Sequence, residues 1–145
     1  MREIWKMQAM NDLEMYEARK IAIENISEQL RELEAEMTSI RSPGAENNSG
    51  RGGESRKDNR YINNIVSRDQ LKENLKEAKR NVRRVERAMT AMTGEEKDIL
   101  KRFFIKREKE AAFDLADKLM IDRKTVYYRR ELALEKFTIA MYNGL

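Results

Sequence analysis

The sequence has no cysteine and no histidine, and it has a single proline. These absences exclude thiolate or imidazole metal sites, disulfides, cysteine nucleophiles and the Ser-His-Asp triad. Neighbouring carboxylates such as Glu95 and Glu96 are better explained by helix capping than by acid–base catalysis. No glycine loop follows a strand, because the sequence has no strand pattern. We therefore expect a protein that is not an enzyme and that holds no metal or cofactor.

Long apolar runs are also missing. No segment approaches the roughly 18 apolar residues that a membrane-spanning helix needs. The first residues, MREIWKMQAM, lack the apolar stretch of a secretory signal. The sequence therefore predicts a soluble, cytoplasmic protein without a membrane partner.

Charge is abundant instead, and it is unevenly distributed along the chain. Charged residues make up 39% of the sequence and hydrophobic residues 40%, a balance typical of long helices with much solvated surface. Residues 1–42 carry 6 basic and 9 acidic side chains, residues 43–92 carry 12 and 7, and residues 93–145 carry 12 and 10. The balance of basic and acidic residues thus changes twice along a chain whose total net charge is +4, which indicates three segments.

Two heptad patterns predict two long helices. The first, from about residue 3 to residue 41, is carried by Ile26, Leu30, Leu33, Met37 and Ile40. The second, from Tyr61 to about Met92, is carried by Leu71, Leu75, Ala78, Val82, Val85, Met89 and Met92. Residues 42–60 between them are rich in glycine, serine and asparagine and nearly free of apolar side chains, which predicts a flexible loop.

Together these patterns predict that residues 1–92 form a long antiparallel, coiled-coil-like helical hairpin. Each helix has only one apolar stripe, so we expect the hairpin to recruit a second copy and form a dimer. The first helix is acidic at Glu24, Glu28, Glu32, Glu34 and Glu36, and the second is basic at Lys72, Lys76, Lys79, Arg80, Arg83, Arg84 and Arg87. Ion pairs between the two helices explain this basic stripe as well as contact with a DNA backbone does. The candidate backbone contacts are Arg80, Arg83, Arg84, Arg87 and Arg129.

The last third of the chain has the pattern of a small helix-turn-helix domain. Thr93 and Glu96 have the spacing of a capping box that starts a helix. Two further helices are predicted over 111–119 and 123–142, and Asp122 is expected to cap the second of them. Residues 93–145 are therefore predicted to be a separate domain, and the fold class of the whole chain is predicted to be all-α.

The predicted core of this domain follows from the spacing of its small and aliphatic residues. Ala116, Ile121 and Val126 occupy the positions at which the first helix, the turn and the second helix of such a motif meet. The rest of the core is predicted to consist of Leu115, Leu119, Leu132 and Phe137.

The remaining face of the last predicted helix is basic and aromatic. A helix end that enters the major groove needs donors for base edges and phosphates, and flat side chains for contact with base methyls and sugars. Arginine pairs bidentately with guanine, and tyrosine hydroxyls reach phosphates. We therefore predict a surface that binds double-stranded DNA, formed by Arg123, Lys124, Thr125, Tyr127, Tyr128 and Arg130.

The runs TGEEKDILKRFF and DLADKLMIDRKTVYYRRELALEKF, followed by AMYNG, resemble region four of bacterial sigma factors. They are more similar still to phage late-gene transcriptional regulators of the ArpU and RinA families. The resemblance implies a phage- or prophage-encoded protein in the host cytoplasm that binds a promoter-proximal site and activates late genes, in contact with RNA polymerase or its sigma factor. The groove-facing positions of these families fall on Arg123, Lys124, Tyr127, Tyr128 and Glu131. Two positions depart from the family pattern. The families usually have glycine or asparagine where this chain has Met120, and an aliphatic residue where it has Arg129.

Two other functions fit the same sequence. The small subunit of a phage terminase also joins a helix-turn-helix to oligomerising helices, but it forms rings. A helical protein-interaction module recruits a protein partner without touching DNA. The size of the assembly in solution separates the first alternative from a dimeric regulator, and salt-dependent binding to duplex DNA separates the second.

Overall fold

The computed structural model describes residues 2–41 and 53–144, with side chains described for residues 3–40 and 56–144. This part of the chain is helical and has no strand, so the predicted all-α class is confirmed for it. Within these ranges, every helix is too short or too polar to span a lipid bilayer. The elements are α1 (Arg2–Glu14), α2 (Tyr16–Arg41), α3 (Gly53–Met89), α4 (Gly94–Leu100), a π-helix (Lys101–Ile105), α5 (Ala111–Leu119) and α6 (Arg123–Tyr142).

The first predicted helix is divided at Met15. The Met15 amide donates to the Asn11 carbonyl at 2.9 Å, and the Arg19 amide donates to the Met15 carbonyl at 2.9 Å. Helical hydrogen bonds therefore continue through the division, and α2 follows α1 without a loop. The prediction of helix over about residues 3–41 holds apart from this interruption.

The second long helix starts earlier than predicted. α3 begins at Gly53 rather than at Tyr61, so the segment 53–60, expected in the flexible loop, is helical. Arginine and lysine have good helix propensity, and a solvated helix needs no apolar stripe. The lack of apolar residues therefore excluded a buried helix here but not an exposed one. The rest of the predicted loop, 42–52, lies outside the described residues.

The chain forms two compact units whose boundaries differ from the predicted domains. One, which we call the split unit, combines Met1–Lys20 with Arg80–Leu145, and the other, the middle unit, is Ile21–Lys79. The sequence predicts a boundary after Met92 instead. The difference arises because α1 and the end of α3 bury apolar side chains in the same core as α6.

The main core of the split unit is therefore assembled from both ends of the chain. It is built from Ala9, Leu13, Val85, Ala88, Met92, Leu100, Phe104, Ala133, Leu134 and Phe137. Leu13 of α1 and Phe137 of α6 are both 0% exposed. Full burial of a leucine side chain contributes about 1.5–3 kcal/mol, so α1 is an integral part of this core.

A second cluster joins α4, α5 and α6. Ile99, Ala112, Leu115 and Val126 are buried in it, and the predicted core residues Ala116, Leu119 and Ile121 pack against it. The prediction for Leu132 is wrong, because its side chain is 46% exposed. The neighbouring residues Ala133, Leu134 and Phe137 turn the buried side of α6 toward the main core, which leaves Leu132 on the solvent side.

In the middle unit, the segments of α2 and α3 are in contact. The Asn64 side-chain amide of α3 donates to the Leu33 carbonyl of α2 at 2.8 Å, and Asn64 is 3% exposed. The expected ion pairs are absent: among the described residues of this unit, no acidic side chain of α2 pairs with Lys72, Lys76 or Lys79. Long side chains in solvent gain little from such pairs.

The shared core predicts that α1 stabilises the carboxy-terminal helices. We expect Leu13→Ala to lower the free energy of unfolding by about 2–5 kcal/mol, because it removes buried methyl groups and leaves a cavity beside α6. Urea unfolding of the full chain, followed by circular dichroism, measures the change.

Met7→Ala is the matched control, since Met7 lies on the same helix and is 66% exposed. It is expected to change the stability by less than about 0.5 kcal/mol. Equal unfolding midpoints for the two variants would show that α1 is not part of the core.

Candidate functional site

The turn between α5 and α6 fixes the position of the last helix. Met120 has φ 57° and ψ 44°, the left-handed conformation that ends α5. The Ile121 amide then donates to the Ala116 carbonyl at 3.0 Å, which satisfies a terminal carbonyl of α5. A non-glycine residue in this conformation costs about 1–2 kcal/mol. The bounds predicted for both helices are those observed.

Asp122 caps α6, as the sequence predicts. Its carboxylate accepts a hydrogen bond from the Thr125 amide at 2.8 Å. Hydrogen bonds from the Thr125 hydroxyl and amide lower the pKa of Asp122, so the cap is charged at neutral pH. The Thr125 amide is thereby used inside the protein, and the first turn of α6 is fixed with Arg123 and Lys124 in solvent.

The start of α4 is anchored by the predicted capping box. The Thr93 amide donates to the Glu96 carboxylate at 2.8 Å, and the Glu96 amide donates to the Thr93 hydroxyl at 3.2 Å. Glu96 also accepts a hydrogen bond from Lys136 of α6 at 2.9 Å. Desolvation opposes the charged form of Glu96, but these hydrogen bonds outweigh it and lower the pKa.

Further ion pairs tie α4 to its neighbours. Asp98 pairs with Arg102 and with Lys118 of α5, each at 2.9 Å. Desolvation disfavours its charge, yet the two hydrogen bonds prevail and lower the pKa of Asp98. Arg129 of α6 pairs with Glu95. Arg129, a candidate DNA contact, therefore has an intramolecular partner already.

The exposed side of the first two turns of α6 brings four predicted contact residues together. Arg123 and Lys124 are exposed, Tyr127 is 45% exposed and Tyr128 is 63% exposed. Neither Arg123 nor Lys124 forms an ion pair with any described side chain. Their charges are therefore free to meet an anionic ligand.

Arg130 occupies a different environment from Arg123. Its guanidinium carbon lies 5.1 Å from the ring centroids of both Phe103 and Tyr127, and those two rings are 5.9 Å apart. The guanidinium also donates to Glu131 at 3.1 Å. Contacts of this kind are worth about 0.5–2 kcal/mol and orient the aromatic ring. The predicted contact residue Arg130 thus supports Tyr127 from within the protein.

The π-helix supplies the Phe103 ring for this cation–π contact. The Lys106 amide donates to the Lys101 carbonyl at 2.8 Å, a bond that closes one residue later than in an α-helix. The sequence pattern of Ile99, Leu100, Phe103 and Phe104 predicts only an ordinary amphipathic helix, so sequence reasoning missed both the π-helix and the cation–π contact. No spacing in the sequence distinguishes the two helix types.

Arg123 and Tyr127 also line an open cleft of about 580 Å³. Arg107 and Phe113 add a further cation and a further ring, and Phe113 is 60% exposed. Acidic residues line it as well, so the charge of the cleft is mixed. Cations beside aromatic faces suit contact with phosphates, sugars and bases.

α6 is also held by α1, which the sequence did not predict. Asp12, which is 3% exposed, accepts a hydrogen bond from the Tyr142 hydroxyl and pairs with Arg19 at 3.2 Å. Burial and the Asp12 carboxylate raise the pKa of Tyr142 to about 12. Trp5 stacks on Tyr142 with 5.1 Å between the ring centroids, and Lys6 pairs with Glu131.

The different environments of the two arginines predict different effects on stability. We expect Arg130→Gln to lower the free energy of unfolding by about 0.5–2 kcal/mol, because it removes the cation that contacts both rings. Arg123→Gln is the matched control and should leave stability within about 0.5 kcal/mol of the parent. Urea unfolding measures both, and the NMR shifts of the Tyr127 ring should move more in Arg130→Gln than in Arg123→Gln. Identical behaviour of the two variants would contradict the cation–π contact of Arg130.

Comparison with known proteins gives one family. Residues 39–138 match the model of a family described as Protein of unknown function (DUF1492). This match runs from the end of α2 into α6, covers more than half of the chain and includes every candidate contact residue. No curated protein and no solved structure matches the chain. The chain therefore belongs to the DUF1492 family.

Proposed function

We propose that the chain is a sequence-specific transcriptional regulator that binds double-stranded DNA through the start of α6. The observation that carries the proposal is the group Arg123, Lys124, Tyr127 and Tyr128, exposed together on the first two turns of a capped helix. Two of the four are cations without an ion-pair partner among the described residues.

In this proposal α5, the turn at 120–122 and α6 act as a helix-turn-helix. The left-handed Met120 and the cluster of Ala116, Ile121 and Val126 support that interpretation. The second helix of such a unit places its first residues against base edges in the major groove. Arg123 would pair with a guanine, a contact worth about 1–3 kcal/mol of discrimination. Tyr127 and Tyr128 would contact sugars, phosphates or thymine methyl groups.

The biological role proposed here comes from the resemblance of the last third of the chain to sigma region four and to ArpU- and RinA-type regulators. By that analogy the protein is encoded by a phage or prophage, acts in the host cytoplasm and activates late genes. RNA polymerase or its sigma factor is the proposed protein partner. No catalytic step and no cofactor are part of the proposal.

The middle unit is proposed to be the helical hairpin that forms a dimer. It exposes large apolar side chains, with Ile21 at 58%, Ile62 at 54% and Val66 at 49%. Burial of such side chains against a second copy removes apolar surface from water. A dimer would also present two α6 helices to two half-sites about one helical turn of DNA apart.

The first test concerns base reading. We expect Arg123→Ala and Tyr128→Ala each to weaken binding to a selected DNA site by about 5- to 150-fold, which corresponds to about 1–3 kcal/mol. The site is obtained by selecting bound fragments from a random duplex library, and affinities are measured at one fixed salt concentration. Helix content, measured by circular dichroism, should stay that of the parent.

Lys101→Ala is the control, because Lys101 is exposed in the same unit and forms no ion pair among the described residues. It should bind the selected site within about twofold of the parent. If Arg123→Ala and Tyr128→Ala bind as Lys101→Ala does, α6 does not read the bases. If the library yields no selected sequence, the protein is not a sequence-specific regulator.

The second test concerns assembly. Sedimentation equilibrium of the full chain is expected to give twice the mass of 17.2 kDa. Val66→Glu places a charge on an exposed apolar position of the middle unit and should shift the equilibrium toward the monomer. A ring of eight or more copies would favour a terminase-like packaging role over a dimeric regulator.

A further inference from the structure

The carboxy-terminal part of α3 carries a second basic surface that the α6 site does not use. Arg80, Arg83, Arg84 and Arg87 are all exposed. Their spacing of three, four and seven residues places them on one side of the helix. Val82 and Val85, which are 7% and 1% exposed, face the core on the other side. We call these four residues the arginine patch.

The arginine patch has no ion-pair partner among the described residues of the split unit. None of its members forms an ion pair with a described carboxylate. Glu86, the acidic residue within the same stretch, accepts a hydrogen bond from the Tyr16 hydroxyl at 3.1 Å instead.

This arrangement is unfavourable for the isolated helix. Like charges three or four residues apart on a helix repel one another, and the patch contains pairs at both spacings. A solvated helix surface usually intersperses both signs of charge, which avoids this repulsion. An anionic ligand removes the repulsion and gains charge-assisted hydrogen bonds.

The choice of arginine indicates which anion fits. The guanidinium is planar and presents its donors in a fork that matches phosphate oxygens bidentately. Seven residues of helix cover about 10 Å. Each strand of duplex DNA carries one phosphate per about 3.4 Å of axis, so one strand presents roughly three phosphates over the same length. The four guanidinium groups therefore match a short stretch of nucleic-acid backbone in length and in charge.

We propose that the arginine patch is a second, sequence-independent binding site for the phosphates of duplex DNA. The proposal rests on the proposed function, because it assigns a further contact to the same ligand. The proposal gives the protein two DNA-binding surfaces. The surface on α6 reads bases, and the surface on α3 increases the affinity for duplex DNA of any sequence. The two surfaces belong to the same compact unit.

The test is the triple variant Arg80→Gln/Arg83→Gln/Arg84→Gln, in which glutamine keeps the helix propensity. Affinity for a non-selected duplex is measured over a range of salt concentrations. The slope of log affinity against log salt should become shallower by about 2–3, because each lost phosphate contact accounts for about 0.9. The thermal midpoint should stay equal to that of the parent or rise, because the repulsion is removed. If these arginines only stabilised the fold, the triple variant would have a lower thermal midpoint than the parent.

Two controls accompany it. The Arg80→Lys/Arg83→Lys/Arg84→Lys variant keeps the charges and should retain the salt slope. The Arg31→Gln/Arg56→Gln/Arg60→Gln variant removes the same number of exposed charges from the middle unit and should leave the slope within about 0.5 of the parent.

The outcomes separate the two proposals. If the parent binds duplex and the glutamine triple variant keeps its slope, the arginine patch is not a phosphate site, and the proposal for α6 is unaffected. If the parent shows no salt-dependent duplex binding, both proposals fail. If the parent binds vesicles of anionic phospholipid, and the triple variant loses that binding but keeps duplex binding, the assignment to nucleic acid is overturned.

Discussion

Burial of α1 against α6 is the interaction on which the rest of the split unit depends. The last third of the chain has about 50 residues, close to the lower size limit for a domain that folds alone. Ala9 and Leu13 extend its core, and the buried Asp12 has hydrogen-bond partners in Gln8, Arg19 and Tyr142, as a carboxylate away from water needs. The helices that carry the candidate site are therefore held by residues from the other end of the sequence.

This support divides the basic residues of α6 into two groups. Arg129 and Arg130 are held by Glu95 and by the Phe103 and Tyr127 rings, so they contribute to the shape of the surface. Arg123 and Lys124 remain in solvent, beyond a cap that fixes where the helix starts. A helix end whose backbone is already fixed by its cap loses little backbone freedom on binding, which favours affinity.

The features that the sequence predicted correctly are local ones. The capping box of Thr93 and Glu96, the cap at Asp122 and the bounds of α5 and α6 each depend on residues within a few positions of one another. Hydrogen bonds across three or four residues leave a signature in the spacing of side chains.

The features that the sequence did not predict depend on distant partners or on small differences in helix geometry. Trp5 and Leu13 look like part of a long amphipathic helix, and only the fold shows that they pack against α6. The π-helix differs from an α-helix by a single hydrogen-bond step, which the same apolar residues permit. The composition of the acidic first helix and the basic second helix predicted ion pairs between them. Exposed ion pairs, however, contribute too little energy to determine where long side chains lie.

The order in which the chain is synthesised determines when the core of the split unit can form. Leu13 is added to the growing chain 124 residues before Phe137, which lies in the same core. At about 5–20 residues per second, the interval between them is roughly 6–25 s. During that time α1 presents an apolar side to the cell without its native partner, so completion of the carboxy-terminal helices, rather than any earlier step, closes the core.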